Sequence, residues 1–223
     1  MEKLAQIWRE SLIFRFLNSL EINIKSKFEP IISTSFFFPF FHFVLEYYLY
    51  IFLFLLPFLS SGKIAIGIFI AFVLWLVDTF LAKDRKFFEI LDTFTLLYII
   101  FMLINLASTF FSPYLVPAIK GYLKFCVYFG LFLVFRDVFK DKEKIKRALF
   151  AILFSTFLLS LYCLYQWIIK VPPLAGWEDV EFVGENVTRV YGTLQNPNLL
   201  GGYLIGVFPF ILSSIFIFKF KSI

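Results

Sequence analysis

The sequence of 223 residues is 61% hydrophobic, contains 35 phenylalanines and carries a net charge of +5. Its apolar residues form blocks of about 18 or more, long enough to cross a hydrocarbon core about 30 Å thick, so a soluble globular fold is excluded. The basic residues cluster between these blocks, as membrane orientation requires, which argues against a nucleic-acid partner. We therefore predict an all-α, polytopic bundle of about six transmembrane helices in a lipid bilayer.

The first 30 residues precede the first apolar block and form a predicted cytoplasmic leader. Leu4, Trp8, Leu12, Phe16 and Leu20 recur every four residues among basic side chains. This spacing predicts an amphipathic helix that lies in the headgroup region. A partly disordered polar leader is the alternative.

Six apolar blocks follow within residues 31–223, separated by short polar or charged segments. The predicted spans lie near residues 36–59, 64–82, 90–111, 118–135, 148–169 and 198–218. The fourth and fifth are separated by a charged connector at 136–147, and the last two by a polar loop at 170–197.

The distribution of basic residues predicts the orientation of the spans. With the amino terminus inside, sixteen of the 21 lysines and arginines lie on the cytoplasmic side. Only Lys63, Lys170 and Arg189 fall on the opposite side. The positive-inside rule therefore predicts that both termini are cytoplasmic and that the loop at 170–197 faces outward.

Two further lysines, Lys120 and Lys124, lie one helical turn apart within the fourth predicted span. A lysine at the centre of the bilayer is costly, so Lys120 is expected to reach toward the outer surface. Lys124 is deeper and is expected to face a polar cavity or an acid such as Glu46. Both are candidates for anion binding, with ion pairing inside the bundle as the alternative.

The sequence indicates no metal site and no cofactor. Cys126 and Cys163 both fall inside apolar blocks, which favours small packing residues over a disulfide or metal pair. His42 is the single histidine, so a histidine-rich metal site within the chain is excluded.

The end of the outer loop carries a candidate anion site. Asn196-Pro197 predicts a turn, and the side-chain oxygen of Asn198 is expected to cap the last helix. The amino terminus of that helix would then lie at the outer surface with Arg189 nearby. A helix amino terminus and an arginine together suit phosphate or another anion. The alternative is a capped helix whose arginine meets lipid headgroups or loop acids.

The same segment resembles the signature that opens the O-antigen ligase/polymerase domain, which has an arginine, Gly-Thr, Asn-Pro-Asn and then small residues opening a helix. The matching residues are Arg189, Gly192, Thr193, Asn196, Pro197, Asn198 and Gly202. The stretch from Leu161 to Tyr191 is similar to the IctB-type branch, whose members are named as bicarbonate transporters. The likeness covers residues 110–210, and the ligase-like domain begins near residue 148.

This resemblance implies a protein of the bacterial inner membrane that transfers a glycan from an undecaprenyl-pyrophosphate carrier at the outer face, without a metal. It implies that Arg189 binds the pyrophosphate, and the further substrate-binding candidates are Asn196, Asn198, Lys124 and Lys120. The family's general base is a histidine on a later outer loop, expected beyond residue 223, and His42 cannot replace it. We therefore expect an amino-terminal or truncated part, inactive alone unless a second chain supplies the later helices.

Two other functions stay open at this stage. The chain could transport bicarbonate or another small anion, with Lys120, Lys124 and Arg189 lining the path. No inverted repeat and no pair of interrupted helices is visible in the sequence to support transport. The chain could also be a non-catalytic remnant.

Overall fold

The computed structural model describes residues 6–7, 10–33, 37–81, 92–172 and 189–218. All regular elements within these ranges are helical. The α-helices are α1 (Leu12–Ser33), α2 (Phe37–Leu55), α3 (Ser61–Leu81), α4 (Thr93–Phe110), α5 (Leu115–Val138), α6 (Lys142–Ile168) and α7 (Pro197–Ile217). Short 3-10 turns occupy Leu56–Phe58 and Gly192–Leu194.

Six of these helices are long and apolar enough to cross a membrane. They are Phe40–Phe58, Ser61–Phe80, Thr93–Phe110, Leu115–Val138, Lys142–Ile168 and Pro197–Ile217. Large apolar side chains project from them, and Phe110, Ile205 and Phe216 are 69%, 75% and 80% exposed. Such surface is unfavourable in water by about 25 cal/mol per Å², so lipid is the medium that accommodates it. The predicted all-α fold with six candidate spans is confirmed, while the orientation of the termini stays a prediction.

The helix boundaries differ from the sequence prediction mainly at the charged connector. The connector predicted at 136–147 is mostly helical, because α5 continues to Val138 and α6 already begins at Lys142. Lysine, arginine and glutamate are good helix formers, so both helices extend beyond their apolar segments. The middle of the predicted outer loop, residues 173–188, and the basic segments at 83–86 and 219–221 lie outside the described residues.

The chain forms two compact units. The first comprises Met1–Tyr48 and Ala65–Lys140, and the second comprises Leu49–Ile64 and Asp141–Ile223. The second unit contains the end of the resemblance region and the predicted anion site. Each unit has its own polar and aromatic contacts between helices.

Helix α1 belongs to the first unit and has an exposed apolar face. Leu12 and Phe16 are 83% and 64% exposed, whereas Glu21, which forms an ion pair with Lys25, is only 5% exposed. The ion pair therefore lies on the buried side of α1, and large apolar side chains lie on its exposed side, as expected for a helix on a membrane surface. Its location in the headgroup region stays a prediction, and Leu4 and Trp8 of the predicted stripe lie outside the described residues.

Polar contacts connect the spans of the first unit. The indole of Trp75 on α3 donates to Asp137 Oδ2 on α5 at 2.9 Å, and both side chains are buried. On α2, His42 Nδ1 lies 3.1 Å from Asp78 Oδ2 of α3. Asp78, which is close to the end of its span, has no exposed surface. In a medium without competing water, such contacts between helices hold the bundle in register.

Aromatic packing supports the same unit. Tyr98 of α4 stacks on Phe129 and Phe132 of α5, with ring centroids 4.9 and 5.3 Å apart. Gly130 provides the close approach between α5 and α3, because a Cβ there would lie 3.2 Å from the ring of Phe72. Ring stacking and small residues are typical of helix contacts inside membranes.

Asp92 has two roles in the first unit that substitution can separate. Its Oδ1 accepts from Thr95 N at 2.9 Å as the cap of α4, and its carboxylate pairs with Arg136 of α5. Asn caps a helix about as well as Asp but carries no charge, so Asp92→Asn should lose the ion pair alone, whereas Asp92→Ala loses both. We expect apparent melting temperatures in detergent to fall in the order wild type, Asp92→Asn, Asp92→Ala. The last step corresponds to about 1 kcal/mol, and equal values for the two variants would contradict a capping role.

Candidate functional site

The candidate site is the turn at residues 189–198, which leads into α7 in the second unit. It starts with the exposed Arg189, passes through the 3-10 turn Gly192–Leu194 and reaches the left-handed residue Gln195, which has φ 55°. Asn196 then begins the last helix. The turn therefore brings an arginine to the end of a predicted span.

A buried glutamine on α6 holds the backbone of this turn. The Oε1 atom of Gln166 accepts from the backbone nitrogens of Gly192 at 2.8 Å and Tyr191 at 3.2 Å. Its Nε2 donates to the carbonyl of Gly192 at 3.3 Å, and the side chain is only 2% exposed. Gln166 thus supplies both the donor and the acceptor that an irregular buried backbone requires.

Gly192 allows the turn to approach α6 closely. Its φ is +57°, a region that favours glycine, and a Cβ there would lie 2.9 Å from Leu159 Cδ1 and 3.1 Å from Cys163 Sγ. Leu159 is fully buried and cannot move aside easily. The glycine of the Gly-Thr pair is therefore required by packing as well as by backbone conformation.

Thr193 connects the turn to the first hairpin of spans. Its hydroxyl donates to the carbonyl of Pro57, in the 3-10 turn that ends α2. Phe54 of the same segment stacks on Phe154 of α6 with centroids 5.9 Å apart, and Thr156 of α6 is hydrogen-bonded to Tyr203 of α7 at 2.9 Å. The turn is thus attached to the segment after α2 as well as to α6, and further contacts join α2 to α6 and α6 to α7.

The cap of α7 is Asn196, so the prediction that Asn198 caps this helix is wrong. The side chain of Asn196 accepts from the backbone nitrogens of Asn198 and Leu199 at 2.8 and 3.3 Å. Pro197 occupies the first helical position and has no N–H, and the nitrogen of Leu200 donates to the carbonyl of Asn196. The first-turn donors are therefore already occupied, and an anion at this site would have to be held by side chains.

The structure brings three of the predicted site residues together and leaves two in the other unit. Arg189, Asn196 and Asn198 all belong to the 189–198 turn, where Asn196 is buried and Asn198 is exposed. Lys120 and Lys124 are exposed on α5 of the first unit. Within the described residues Lys124 forms no ion pair, with Glu46 or another acid. An anion path that uses both lysines stays a prediction.

A cavity of about 620 Å³ lies against the turn. One side of the cavity is lined by three residues of the turn, Thr193, Leu194 and Gln195. The opposite side is lined by the segment that joins α2 to α3. The remaining lining residues are Leu56, Phe58, Leu59, Ser60, Ser61, Lys63, Ile64, Leu199 and Tyr203. The cavity therefore combines hydroxyl groups and one lysine with an apolar wall, and we refer to it as the turn cavity.

Sequence reasoning did not predict the roles of three residues that matter here, Gln166, Thr193 and Lys63. Gln166 and Thr193 hold the turn through partners distant in sequence, so no local spacing identifies their contacts. Lys63 was recognised only as one of three outward basic residues, although its solitary position in an otherwise apolar hairpin was a usable signal. The sequence did identify Arg189 and the Asn-Pro turn.

Over the residues that the structure describes, no group of three or more His, Cys, Asp or Glu side chains is placed to hold a metal ion. Cys126 and Cys163 are both free.

Comparison with protein-family models, with curated proteins and with solved structures gives no match for this chain.

Proposed function

We propose that this chain binds an undecaprenyl-pyrophosphate-linked glycan at the outer face of the bacterial inner membrane, as a protein of the O-antigen ligase or polymerase type. The observation that carries the proposal is an exposed arginine at the start of a firmly held turn where a membrane span begins. The sequence resemblance supplies the ligand class, and the geometry of the turn supports it.

Arg189 is suited to a pyrophosphate for reasons of geometry and charge. The guanidinium presents a planar fork of N–H donors that matches two phosphate oxygens. During glycan transfer an acceptor hydroxyl gives its proton to a base that this proposal does not assign. Its oxygen bonds to the anomeric carbon while the bond from that carbon to the pyrophosphate oxygen breaks. The electron pair remains on the pyrophosphate, so a cation held beside it stabilises the leaving group.

The turn supports this role because residues 191–193, which follow Arg189 closely in sequence, are held by contacts that involve no ligand. Gln166 and the close packing at Gly192 attach the turn to α6, and Thr193 attaches it to the 3-10 turn at Leu56–Phe58. A charged group on a fixed backbone loses less conformational freedom on binding than one on a mobile loop. The positive end of α7 adds a favourable field, although its amide donors are occupied by the cap.

The proposal does not include a general base. His42 lies on α2 in the first unit, next to Asp78. We therefore assign ligand binding to this chain, and the experiment measures binding instead of turnover.

Replacing Arg189 with alanine should weaken binding of undecaprenyl pyrophosphate by about 10- to 100-fold, because a hydrogen bond to a charged group contributes about 1.5–3 kcal/mol. Lysine at this position should give an intermediate affinity, since it keeps the charge but loses the fork. The measurement is retention of radiolabelled undecaprenyl pyrophosphate by the chain in phosphatidylcholine nanodiscs.

Arg147→Ala is the matched control, because Arg147 is also an exposed arginine of the second unit but lies near the opposite end of α6. It should bind like the wild type. Equal affinity for wild type and Arg189→Ala, or equal losses in the two alanine variants, would refute a specific role for Arg189.

A further inference from the structure

The turn cavity has the charge distribution of a site for an anion with an apolar tail. Its lining, all of it within the described residues, contains one charged side chain, Lys63, and no carboxylate. The exposed hydroxyls of Ser60 and Ser61 lie beside that lysine in sequence. Aliphatic and aromatic side chains form the rest of the wall, namely Leu56, Phe58, Leu59, Ile64, Leu194 and Leu199.

The position of Lys63 is not explained by helix stability. It lies in the first turn of α3, where the positive end of the helix dipole makes a cation unfavourable. It forms no ion pair with any other described residue. A lysine that lies at the positive end of a helix and has no ion pair among the described residues is suited to bind the anionic group of a ligand.

The size and composition of the cavity narrow the class of that anion. A volume of about 620 Å³ is within the usual range for ligand pockets and exceeds what a free phosphate ion occupies. The apolar wall would be left facing water beside a free ion, whereas a hydrocarbon chain would cover it. A phosphate group attached to a lipid tail matches both the lysine with its neighbouring hydroxyls and the apolar wall.

We propose that the turn cavity binds the phosphate-bearing headgroup of a membrane amphiphile, with Lys63 as its cationic contact and the apolar wall holding the first carbons of the tail. If the amphiphile is the undecaprenyl carrier, this inference deepens the proposed function and rests on it for the source of the phosphate. If the amphiphile is a bilayer phospholipid, it stands independently of glycan transfer.

The test uses a farnesyl pyrophosphate that carries a photoreactive diazirine on its first isoprene unit, with the full chain in phosphatidylcholine nanodiscs. Irradiation followed by peptide mapping should place the label on the turn cavity, at residues such as Leu59, Ile64 or Leu199. Lys63→Gln should reduce labelling about tenfold, as expected for loss of one charged contact, and Lys63→Arg should retain it.

Lys170→Gln is the matched control, because Lys170 is an exposed lysine of the same unit that does not line the cavity. It should label like the wild type. Label that maps elsewhere, or equal labelling of Lys63→Gln and wild type, would overturn the inference.

Competition identifies the source of the phosphate. Competition by undecaprenyl pyrophosphate assigns the cavity to the carrier, and competition by phosphatidylglycerol assigns it to bilayer lipid; both results support an amphiphile site. Inorganic phosphate that competes as well as either lipid would overturn it. Loss of carrier binding in Arg189→Ala, with cavity labelling unchanged, would show that the two sites act separately.

Discussion

Replacing Gly192 with alanine should destabilise the second unit by about 2–5 kcal/mol. The residue adopts φ +57°, which costs an L side chain about 1–2 kcal/mol, and inserting a methyl group into a packed contact costs about 1–3 kcal/mol more. The new Cβ would lie 2.9 Å from Leu159 Cδ1, a side chain with no exposed surface, so relief requires movement of α6 or of the turn.

The thiol of Cys163 reports this change locally, because its Sγ would be 3.1 Å from the added methyl group. In a Cys126→Ser background, a maleimide dye should react with Cys163 at a lower temperature in Gly192→Ala than in the parent. Gly201→Ala is the matched control, since a Cβ at Gly201 meets nothing within 4 Å. Unfolding of both alanine variants at the parent temperature would mean that the close approach at Gly192 contributes no stability.

Replacing Gln166 with leucine should release the 189–198 turn, while the volume of the side chain at this position changes little. The substitution leaves the backbone nitrogens of Tyr191 and Gly192 and one carbonyl without their partners. An unsatisfied buried group costs about 1–3 kcal/mol, so the loss of three partners should cost about 3 kcal/mol or more. This would be among the largest effects of any single substitution at the site.

Hydrogen–deuterium exchange measures that release directly. The amides of Tyr191 and Gly192 should exchange at least about tenfold faster in Gln166→Leu, because each 1.4 kcal/mol of lost protection corresponds to a factor of ten. Tyr165→Phe removes an exposed hydroxyl from the neighbouring position and should leave both amides protected. Unchanged protection in Gln166→Leu would show that other contacts hold the turn.

The spans were predictable from sequence because burial in lipid depends on composition over about 20 residues and not on particular partners. Their ends were less predictable. Hydropathy marks the apolar part of a helix, so it missed the charged residues with which α5 continues to Val138 and α6 begins at Lys142. At Pro197, which starts the last helix, the predicted span and the helix begin within one residue of each other.

The residue types of the site were predictable from the sequence, but the contacts that hold its backbone were not. Arg189 and the Asn-Pro turn follow from local residue types, and a stricter use of proline would also have placed the cap, since proline favours the first helical position and makes Asn196 the residue before it. The contact between Gln166 and Gly192 joins positions 26 residues apart through a buried hydrogen bond. Nothing in the local sequence specifies such a pairing.

The hydrogen bond from Thr193 to Pro57 has a consequence for biogenesis, because its two residues are 136 positions apart. The ribosome must add 136 residues after the acceptor before the donor exists, so the segment that carries the acceptor is made well before its partner. The arginine-bearing turn therefore acquires this attachment only after the intervening helices have been synthesised. Partly made chains already in the bilayer would carry the first spans but would not yet present the guanidinium on a fixed backbone.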